Sequence, residues 1–255
     1  MSTIILALVV GAVTGLMLGL VGGGGSILTV PALIYLLGQG VGPATTISLV
    51  VVGANAAFGG IQRYRHNSKA IRLDYAFALA ATGLIGAQAG NWLNRNLPDK
   101  VTLGAFALLM LLVAGLMLRP PRLAKMENVV VPALGHRWVR VGLIGLGLGF
   151  MTGLFGVGGG FLIVPALVLL LDFPMSFATG TSLVVIALNS LSALLGRWPL
   201  AGLDLGLALT LIATGFAGTW LGGKLAHRMQ DKTLRIVFAW MIVALSFYIG
   251  ARVLL

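Results

Sequence analysis

The sequence lacks cysteine and has few acidic residues. Its 255 residues include no cysteine, and only six are Asp or Glu, against 17 Lys or Arg. Without cysteine the chain can form neither a disulfide nor a thiolate metal site. The three histidines, His66, His136 and His227, are scattered along the sequence and predict no metal cluster. Disulfides, thiolate metal sites and thiol chemistry are therefore excluded.

Charged residues are scarce, and apolar residues dominate. Only 9% of the residues are charged, 58% are hydrophobic, and the mean hydropathy is +1.03. This composition excludes a soluble enzyme and predicts a polytopic membrane protein in a lipid bilayer. At about 20 residues per spanning helix, the length accommodates about eight to ten helical segments. In such a protein, Lys and Arg residues in cytoplasmic loops account for a net charge of +11. The positive charge therefore does not predict a nucleic acid partner.

The apolar residues form ten segments, five on each side of a polar stretch. They cover about 3–21, 26–38, 43–62, 73–94, 101–118, 139–153, 160–172, 175–196, 204–226 and 233–253. Segments 26–38 and 160–172 are too short to span a bilayer comfortably, so each is expected to be half of a broken or re-entrant helix. The predicted domains are a first membrane repeat (1–118), a cytoplasmic linker (119–138) and a second membrane repeat (139–255).

The two halves of the chain resemble each other. A shift of 134 residues aligns Gly19–Ala56 with Gly153–Ser190 without a gap, and 19 of the 38 aligned positions are identical. Further along, the shift becomes 132 and pairs residues 81–86 with residues 213–218. Apolar composition alone does not reproduce Gly, Pro and Asn at fixed spacing, so we infer an internal duplication.

The positive charges predict opposite orientations for the two halves. An odd number of segments per half inverts the second repeat relative to the first. Of the 17 Lys and Arg residues, 13 lie in stretches 63–72, 119–140 and 224–235, which this topology places on one side. That side is expected to be cytoplasmic, so both termini are predicted outside. The predicted fold is an all-α polytopic membrane protein with two inverted repeats of about five helical segments each.

A glycine-rich motif followed by proline occurs in each half. Residues 22–26 precede Pro31, and residues 156–160 precede Pro165. Glycine lets the backbone leave helical geometry and proline removes a helical donor, so both motifs predict a helix break near the midplane. A helix that restarts after such a break directs free N–H groups at the midplane, where they favour an anion. The alternative explanation is that the glycines only permit close helix packing.

Polar side chains follow each motif at matching positions. Ser48 and Asn55 are seven residues apart, as are Ser182 and Asn189, so each pair shares a helix face. These groups can donate hydrogen bonds to an oxyanion, or they can hold helices together. The predicted substrate-binding residues are Gly23, Gly24, Gly25, Ser26, Thr45, Ser48 and Asn55 in the first half, and Val157, Gly158, Gly159, Gly160, Thr179, Ser182 and Asn189 in the second.

Four of the six acidic residues are positioned as helix caps. Asp74 and Asp204 open the fourth segment of each half, and Asp99 and Asp231 precede the fifth. No Asp, Glu or His lies in the middle of a predicted span, so the usual proton-relay side chains are missing. No cofactor and no metal are expected, and the sequence has no ATP-binding P-loop motif.

Two blocks of residues carry a family resemblance. They are GLVGGGGSILTVPAL at 19–33 and GLFGVGGGFLIVPAL at 153–167, each followed by an ATxxSL stretch, and an Arg-rich loop follows the third segment. With these motifs the chain resembles, over essentially its whole length, the TauE/SafE sulfite exporter family of small integral membrane proteins. The resemblance implies transport of sulfite, sulfoacetate or related sulfonates across the cytoplasmic membrane, commonly outward. Val157 and Gly160 replace Gly23 and Ser26, so the two half-sites differ.

The sequence thus predicts an exporter of small sulfur-containing oxoanions in a bacterial-type inner membrane. Its expected partners are the anion and the lipid bilayer, with a homodimer as an option. Two other interpretations stay open, namely an uptake permease for a sulfur oxoanion or small carboxylate, and a non-transporting scaffold subunit. A membrane enzyme is not expected, because the sequence places no nucleophile–base pair or metal set in the membrane.

Overall fold

Ten α-helices make up the part of the chain that the structure describes. The computed structural model describes residues 2–66, 71–94, 97–118, 135–155, 160–196 and 203–254. The helices of the first half are α1 (Ser2–Val21), α2 (Gly24–Tyr35), α3 (Val41–His66), α4 (Leu73–Asn94) and α5 (Asp99–Leu118). Those of the second half are α6 (Trp138–Phe155), α7 (Gly160–Leu170), α8 (Met175–Leu195), α9 (Leu205–Arg228) and α10 (Asp231–Leu254). The all-α prediction is confirmed.

Helix lengths fit a protein that crosses a membrane several times. Six of the described helices, α1, α3, α6, α8, α9 and α10, are long and apolar enough to span a bilayer. With 12 and 11 residues, α2 and α7 are too short for this and correspond to the two short segments predicted from the sequence. Most of the predicted linker and the side chain of Asp99 lie outside the described residues.

Helices from opposite halves pack in parallel through glycine. A Cβ atom at Gly15 of α1 would lie 2.2 Å from the carbonyl oxygen of Gly215 on α9, and a Cβ at Gly19 would lie 2.3 Å from that of Thr219. The backbones can approach this closely only because these positions carry no side chain. The equivalent pair, α4 and α6, is also parallel, with Gly83, Gly86 and Gly90 against Gly149, Phe150 and Leu154.

Equivalent helices of the two halves pack antiparallel. On α3 and α8, Gly53 faces Ser190, while Arg63 donates a hydrogen bond to the hydroxyl of Thr179. Residue numbers therefore increase along α3 in the direction in which they decrease along α8. The pair α5 and α10 is also antiparallel, with Arg235 Nε donating to Met117 O at 2.5 Å and Ser246 Oγ donating to Ala107 O at 2.8 Å. We interpret opposite directions of equivalent helices as the arrangement that an inverted duplication requires.

These directions give the bundle two distinct ends. Both α3 and α9 finish at the end where α8 and α10 begin, and there the carboxylate of Asp231 accepts a hydrogen bond from the N–H of Met175 at 2.9 Å. We call it the cation-rich end, after Arg63, Arg65, Lys224 and Arg228. Because α1 runs toward this end and α10 runs away from it, α1 begins and α10 finishes at the opposite end.

The aspartates predicted as helix caps make different contacts. Asp204 caps α9 as predicted, since its carboxylate accepts a hydrogen bond from the N–H of Leu207 at 3.0 Å. Asp231 is the first residue of α10, but its carboxylate caps the start of α8. Asp74 lies in the first turn of α4 and forms an ion pair with Arg72 at 2.6 Å.

The contact between α4 and α6 predicts which glycine the fold requires. A Cβ at Gly149 would lie 1.9 Å from the carbonyl oxygen of Gly83, whereas a Cβ at Gly147 would meet nothing within 4 Å. We expect Gly149→Leu to destabilise the protein by about 1–3 kcal/mol or more. The matched Gly147→Leu, on the same helix, is expected to leave stability unchanged. Thermal unfolding of the purified variants in detergent measures both, and equal transition temperatures would contradict the packing described here.

Candidate functional site

The first glycine motif breaks the chain between α1 and α2. Gly22 has a φ of +78°, in the left-handed region that glycine adopts without strain. A Cβ at Gly22 would also lie 2.5 Å from the carbonyl oxygen of Thr179 and 2.6 Å from the hydroxyl of Ser182. Gly22 is therefore required both for the conformation of the break and for the close approach of α8. The break is present where the sequence predicts it.

Two predicted site residues on α8 hold this break. The hydroxyl of Ser182 lies 2.9 Å from the carbonyl oxygen of Gly22 and 2.9 Å from that of Thr179, so its proton can be donated to either. The hydroxyl of Thr179 accepts a hydrogen bond from Arg63 and donates one to Ser176 O at 3.0 Å. In this structure both side chains therefore bind protein groups next to the broken backbone.

The first residues of α2 and α7 are in contact. A Cβ at Gly23 would lie 2.4 Å from the carbonyl oxygen of Gly160, and a Cβ at Gly160 would lie 2.6 Å from Ser26 Oγ. The hydroxyl of Ser26 donates to Gly23 O at 2.9 Å, and no side chain caps the N-terminus of α2. Gly24, Gly25, Ser26 and Gly160 are all buried. The first-turn N–H groups of α2 thus form a buried set of donors without a side-chain cap.

Three residues of the second motif, Val157, Gly158 and Gly159, lie outside the described residues. The predicted contribution of their backbone N–H groups to the site therefore stays a prediction.

Asn55 and Asn189, at matching positions of the two halves, carry buried amide oxygens. Within the described ranges, neither Oδ1 atom has a hydrogen-bond partner. Asn55 is only 2% exposed and faces α9, where a Cβ at Gly215 would lie 2.2 Å from its Nδ2 atom. A buried polar atom without a partner costs about 1–3 kcal/mol. The amide oxygens of these two side chains therefore do not attach one described helix to another.

The remaining predicted residues, Thr45 and Ser48, lie in the first turns of α3. Thr45 Oγ1 donates to Val41 O at 2.5 Å, and Ser48 is buried. Thr45 is ten residues before Asn55, which is about 15 Å along a helix. It therefore lies toward the end of the bundle opposite the cation-rich end, away from the break at Gly22.

A cavity of about 360 Å³ opens at the cation-rich end, and the sequence analysis did not anticipate it. Part of its surface is formed by Gly19, Gly59 and Gly223. Its polar side chains come from α3 and α9 and are Gln62, Arg63, Arg65, His66, Thr219, Trp220, Lys224 and His227. They recur at intervals of three or four residues near the end of each helix, which is the sequence signal that could have revealed a shared face.

Two contacts tie the side chains of this cavity together. The rings of His66 and His227, which are far apart in the sequence, have centroids 4.6 Å apart. The ammonium group of Lys224 lies 3.5 Å from the centroid of the Trp220 ring. Among the described residues, no group of three or more His, Asp or Glu side chains could hold a metal ion. The contacts thus assemble cations and aromatic rings around open space.

Comparisons with known proteins agree with this architecture. The model of one protein family, described as "Sulfite exporter TauE/SafE", matches residues 7–249. A "Probable membrane transporter protein" of Xylella fastidiosa is 33% identical over 247 residues, which cover 94% of this chain and 92% of the relative. The "Probable membrane transporter protein YunE" of Bacillus subtilis is 30% identical over 273 residues, 96% of each chain. No solved structure matches the chain.

The protein is a multi-pass membrane transporter and not an enzyme. Its class follows from the apolar helices that are long enough to span a bilayer, from the buried helix break, and from the similarity to membrane transporters over 94% of the chain. The chain belongs to the sulfite exporter TauE/SafE family. The family resemblance noted in the sequence is thereby confirmed.

The break at Gly22 can be tested against a second glycine with positive φ. Gly38 has a φ of +66°, but a Cβ there would meet nothing within 4 Å. Gly38→Ala is expected to cost about 1–2 kcal/mol of stability, the strain of the left-handed conformation alone. Gly22→Ala adds the clash with Thr179 and Ser182, so we expect a further loss of about 1–3 kcal/mol. Thermal unfolding compares the two variants; equal losses would mean that α8 does not enclose the break.

Proposed function

We propose that the protein exports small sulfur-containing oxoanions, such as sulfite or an organosulfonate, and binds them at the paired helix starts. The observation that carries this proposal is the contact between the buried first residues of α2 and α7. The substrate oxygens accept hydrogen bonds from backbone N–H groups at residues 23–26 and 157–160. The family description, a sulfite exporter, supports the same substrate class.

The electrostatics of the helix starts favour an anion. The first-turn N–H groups of a helix carry partial positive charge, equivalent to about half an elementary charge. On α2 no side chain caps them, and Gly24 and Gly25 keep side chains from covering them. In a membrane the need to satisfy these donors is strong because the hydrocarbon offers no hydrogen-bond acceptor. An oxoanion supplies both the acceptors and the compensating charge without a buried Lys or Arg.

Asn55 and Asn189 complete the proposed site as side-chain donors. Their unpartnered amide oxygens indicate that a ligand or water normally meets these amides. A half-turn of the side-chain amide exchanges its oxygen and nitrogen atoms, so each residue can present N–H groups to an oxoanion. Their positions match in the duplicated sequence, so one residue of each half takes part.

The orientation of the bundle favours export. We place the cation-rich end in the cytoplasm, because positively charged segments are retained there, and both termini then lie outside. The membrane potential, negative inside, drives a monovalent anion outward with about 2.3 kcal/mol per 100 mV. Export therefore requires no second coupling ion.

The first experiment is a current measurement on purified protein in liposomes on a solid-supported membrane. Sulfite, sulfoacetate, thiosulfate, sulfate and acetate are added in turn. A saturable current with one sulfur oxoanion supports the proposal, whereas accumulation of the anion against an imposed potential would indicate coupled uptake in place of export. Saturation by acetate alone would move the substrate to small carboxylates. If neither currents nor exchange of labelled anions occurs, the scaffold interpretation replaces transport.

Gly24→Leu tests the backbone site. A Cβ at Gly24 would lie 2.3 Å from the terminal methyl group of Met241, a flexible side chain that can move, so the variant is expected to fold. Leucine covers the donors at the start of α2, and we expect anion flux to fall at least about tenfold, the effect of losing a well-placed charge-assisted hydrogen bond. Gly104→Leu on α5, where a Cβ meets nothing within 4 Å, is the control. Normal flux through folded Gly24→Leu protein would contradict the assignment.

Asn55→Leu and Asn189→Leu separate substrate binding from helix attachment. Replacing a buried, unpartnered amide by an apolar group of similar size is expected to leave stability unchanged or raise it by about 1 kcal/mol. The same change removes donors to the substrate, so we expect a higher KM for the anion. Thermal unfolding and flux are measured on the same preparations. Loss of stability with an unchanged KM would show that the two amides hold the helices together.

A further inference from the structure

We propose that the cavity at the cation-rich end is a second anion-binding site, which loads the substrate from the cytoplasm before it reaches the helix starts. This inference rests on the proposed function and adds a site that the glycine motifs do not include. Its ligand is a small sulfur oxoanion, bound by Arg65 and Lys224 with Arg63 behind them. A volume of about 360 Å³ is sufficient for such a ligand with part of its hydration shell.

The charge of the cavity is positive and uncompensated by its own lining. Arg63, Arg65 and Lys224 contribute three cations, and no carboxylate occurs among the lining residues that the structure describes. Asp231 is the acidic group that interacts with Arg63, and its carboxylate also accepts the hydrogen bond from Met175 N–H. A concave surface with cations of one sign concentrates anions and accelerates their capture.

Membrane topology alone does not explain the position of Arg63. A lysine or arginine that only orients the chain can remain in water, as Arg228 does. Arg63 is instead only 6% exposed, and its guanidinium group points inward to donate to Thr179 on α8. Burying a cation is costly unless it has partners, and Thr179 and Asp231 supply partners for Arg63 on its protein side, while its other side borders the open space of the cavity.

The cavity leads toward the proposed transport site. Asn55, Gly59 and Arg63 are spaced by four residues and therefore share one face of α3. Arg63 and Gly59 line the cavity, and Asn55 lies one helical turn further into the bundle. Thr179, the partner of Arg63, also lies against the break at Gly22. An anion held by Arg63 is thus next to both groups that the proposed function assigns to binding.

The two halves of the sequence differ at three positions of the cavity. When the shifts of 134 and 132 residues are extended, Arg65 and His66 match Pro199 and Leu200, and Lys224 matches Trp92, while Arg63 matches Arg197. The scaffold is repeated, but these three polar side chains of the cavity are replaced by apolar ones at the equivalent positions. A transporter that loads anions from one side has this asymmetry, because attraction is required only where the substrate is captured.

The test compares anion transport by Arg65→Gln, Lys224→Gln and the double variant with that of the wild type. Removing one partly exposed cation is expected to raise KM about two- to fivefold, and the double variant about tenfold, while Vmax is unchanged. The KM of the wild type should also rise more steeply with ionic strength than that of the double variant. Arg228→Gln removes the same charge from the same helix outside the cavity and should behave like wild type.

A binding measurement keeps this inference separate from transport. Trp220 lines the cavity, so its fluorescence in detergent-solubilised protein should change on titration with sulfite or sulfoacetate. The signal is corrected with Trp220→Phe and is expected to be weakened by Lys224→Gln but not by Arg228→Gln.

Three outcomes would overturn the loading site. In the first, the wild type shows saturable flux, and the double variant and Arg228→Gln have the same KM. This result would refute the loading site and leave the proposed function intact. Absence of both flux and binding would refute both proposals. The third outcome concerns nanodiscs of two lipid compositions. If Trp220 fluorescence changes when the nanodiscs contain phosphatidylglycerol, but does not change when dissolved anions are added to phosphatidylcholine nanodiscs, the cavity binds a lipid headgroup instead.

Discussion

The structure depends on how a broken helix can exist inside a membrane. Hydrocarbon offers no hydrogen-bond partner, so backbone groups released at a break must be enclosed by protein or meet a ligand. At Gly22 both conditions apply. Ser182 lies within hydrogen-bond distance of the carbonyl oxygen of Gly22, while the first N–H groups of α2 have no side-chain cap and lie against the start of α7. The acceptor side of the break is satisfied by the protein, and the proposed function assigns the donor side to an anion.

Glycine serves two different physical purposes in this chain. Along α1 with α9 and α4 with α6, it allows two backbones to touch, and at Gly15 an added Cβ would reach the backbone of Gly215. At Gly22 it permits a left-handed conformation that ends a helix. The first use sets the distances between the long helices, and the second turns the chain from α1 into α2. The start of α2 then lies against the start of α7.

Charge distinguishes the two ends of a repeated scaffold. Helices α3 and α8 occupy matching positions in the two halves of the sequence and cross antiparallel, and the α3 end combines Arg63, Arg65 and His66 with the end of α9. A symmetric bundle can move an anion in either direction, whereas a cationic cavity at one end favours capture from that side. The positive-inside rule predicts that the same residues also orient the protein in the membrane. The predicted topology and the proposed capture of the substrate therefore both call for positive charge at the same end.

The sequence by itself determined the class, the helices and their duplication. Hydropathy is a property of local composition, and Gly and Pro act on the backbone where they stand, so all ten segments and the break at Gly22 could be predicted. Only the tertiary structure decided which side chains meet. Thr179 contacts Arg63 and Ser182 contacts the break, neither of which the sequence predicted, and His66 lies against His227, 161 residues away. Such contacts join distant helices, and helix-helix register is set by packing in three dimensions, which no local pattern encodes.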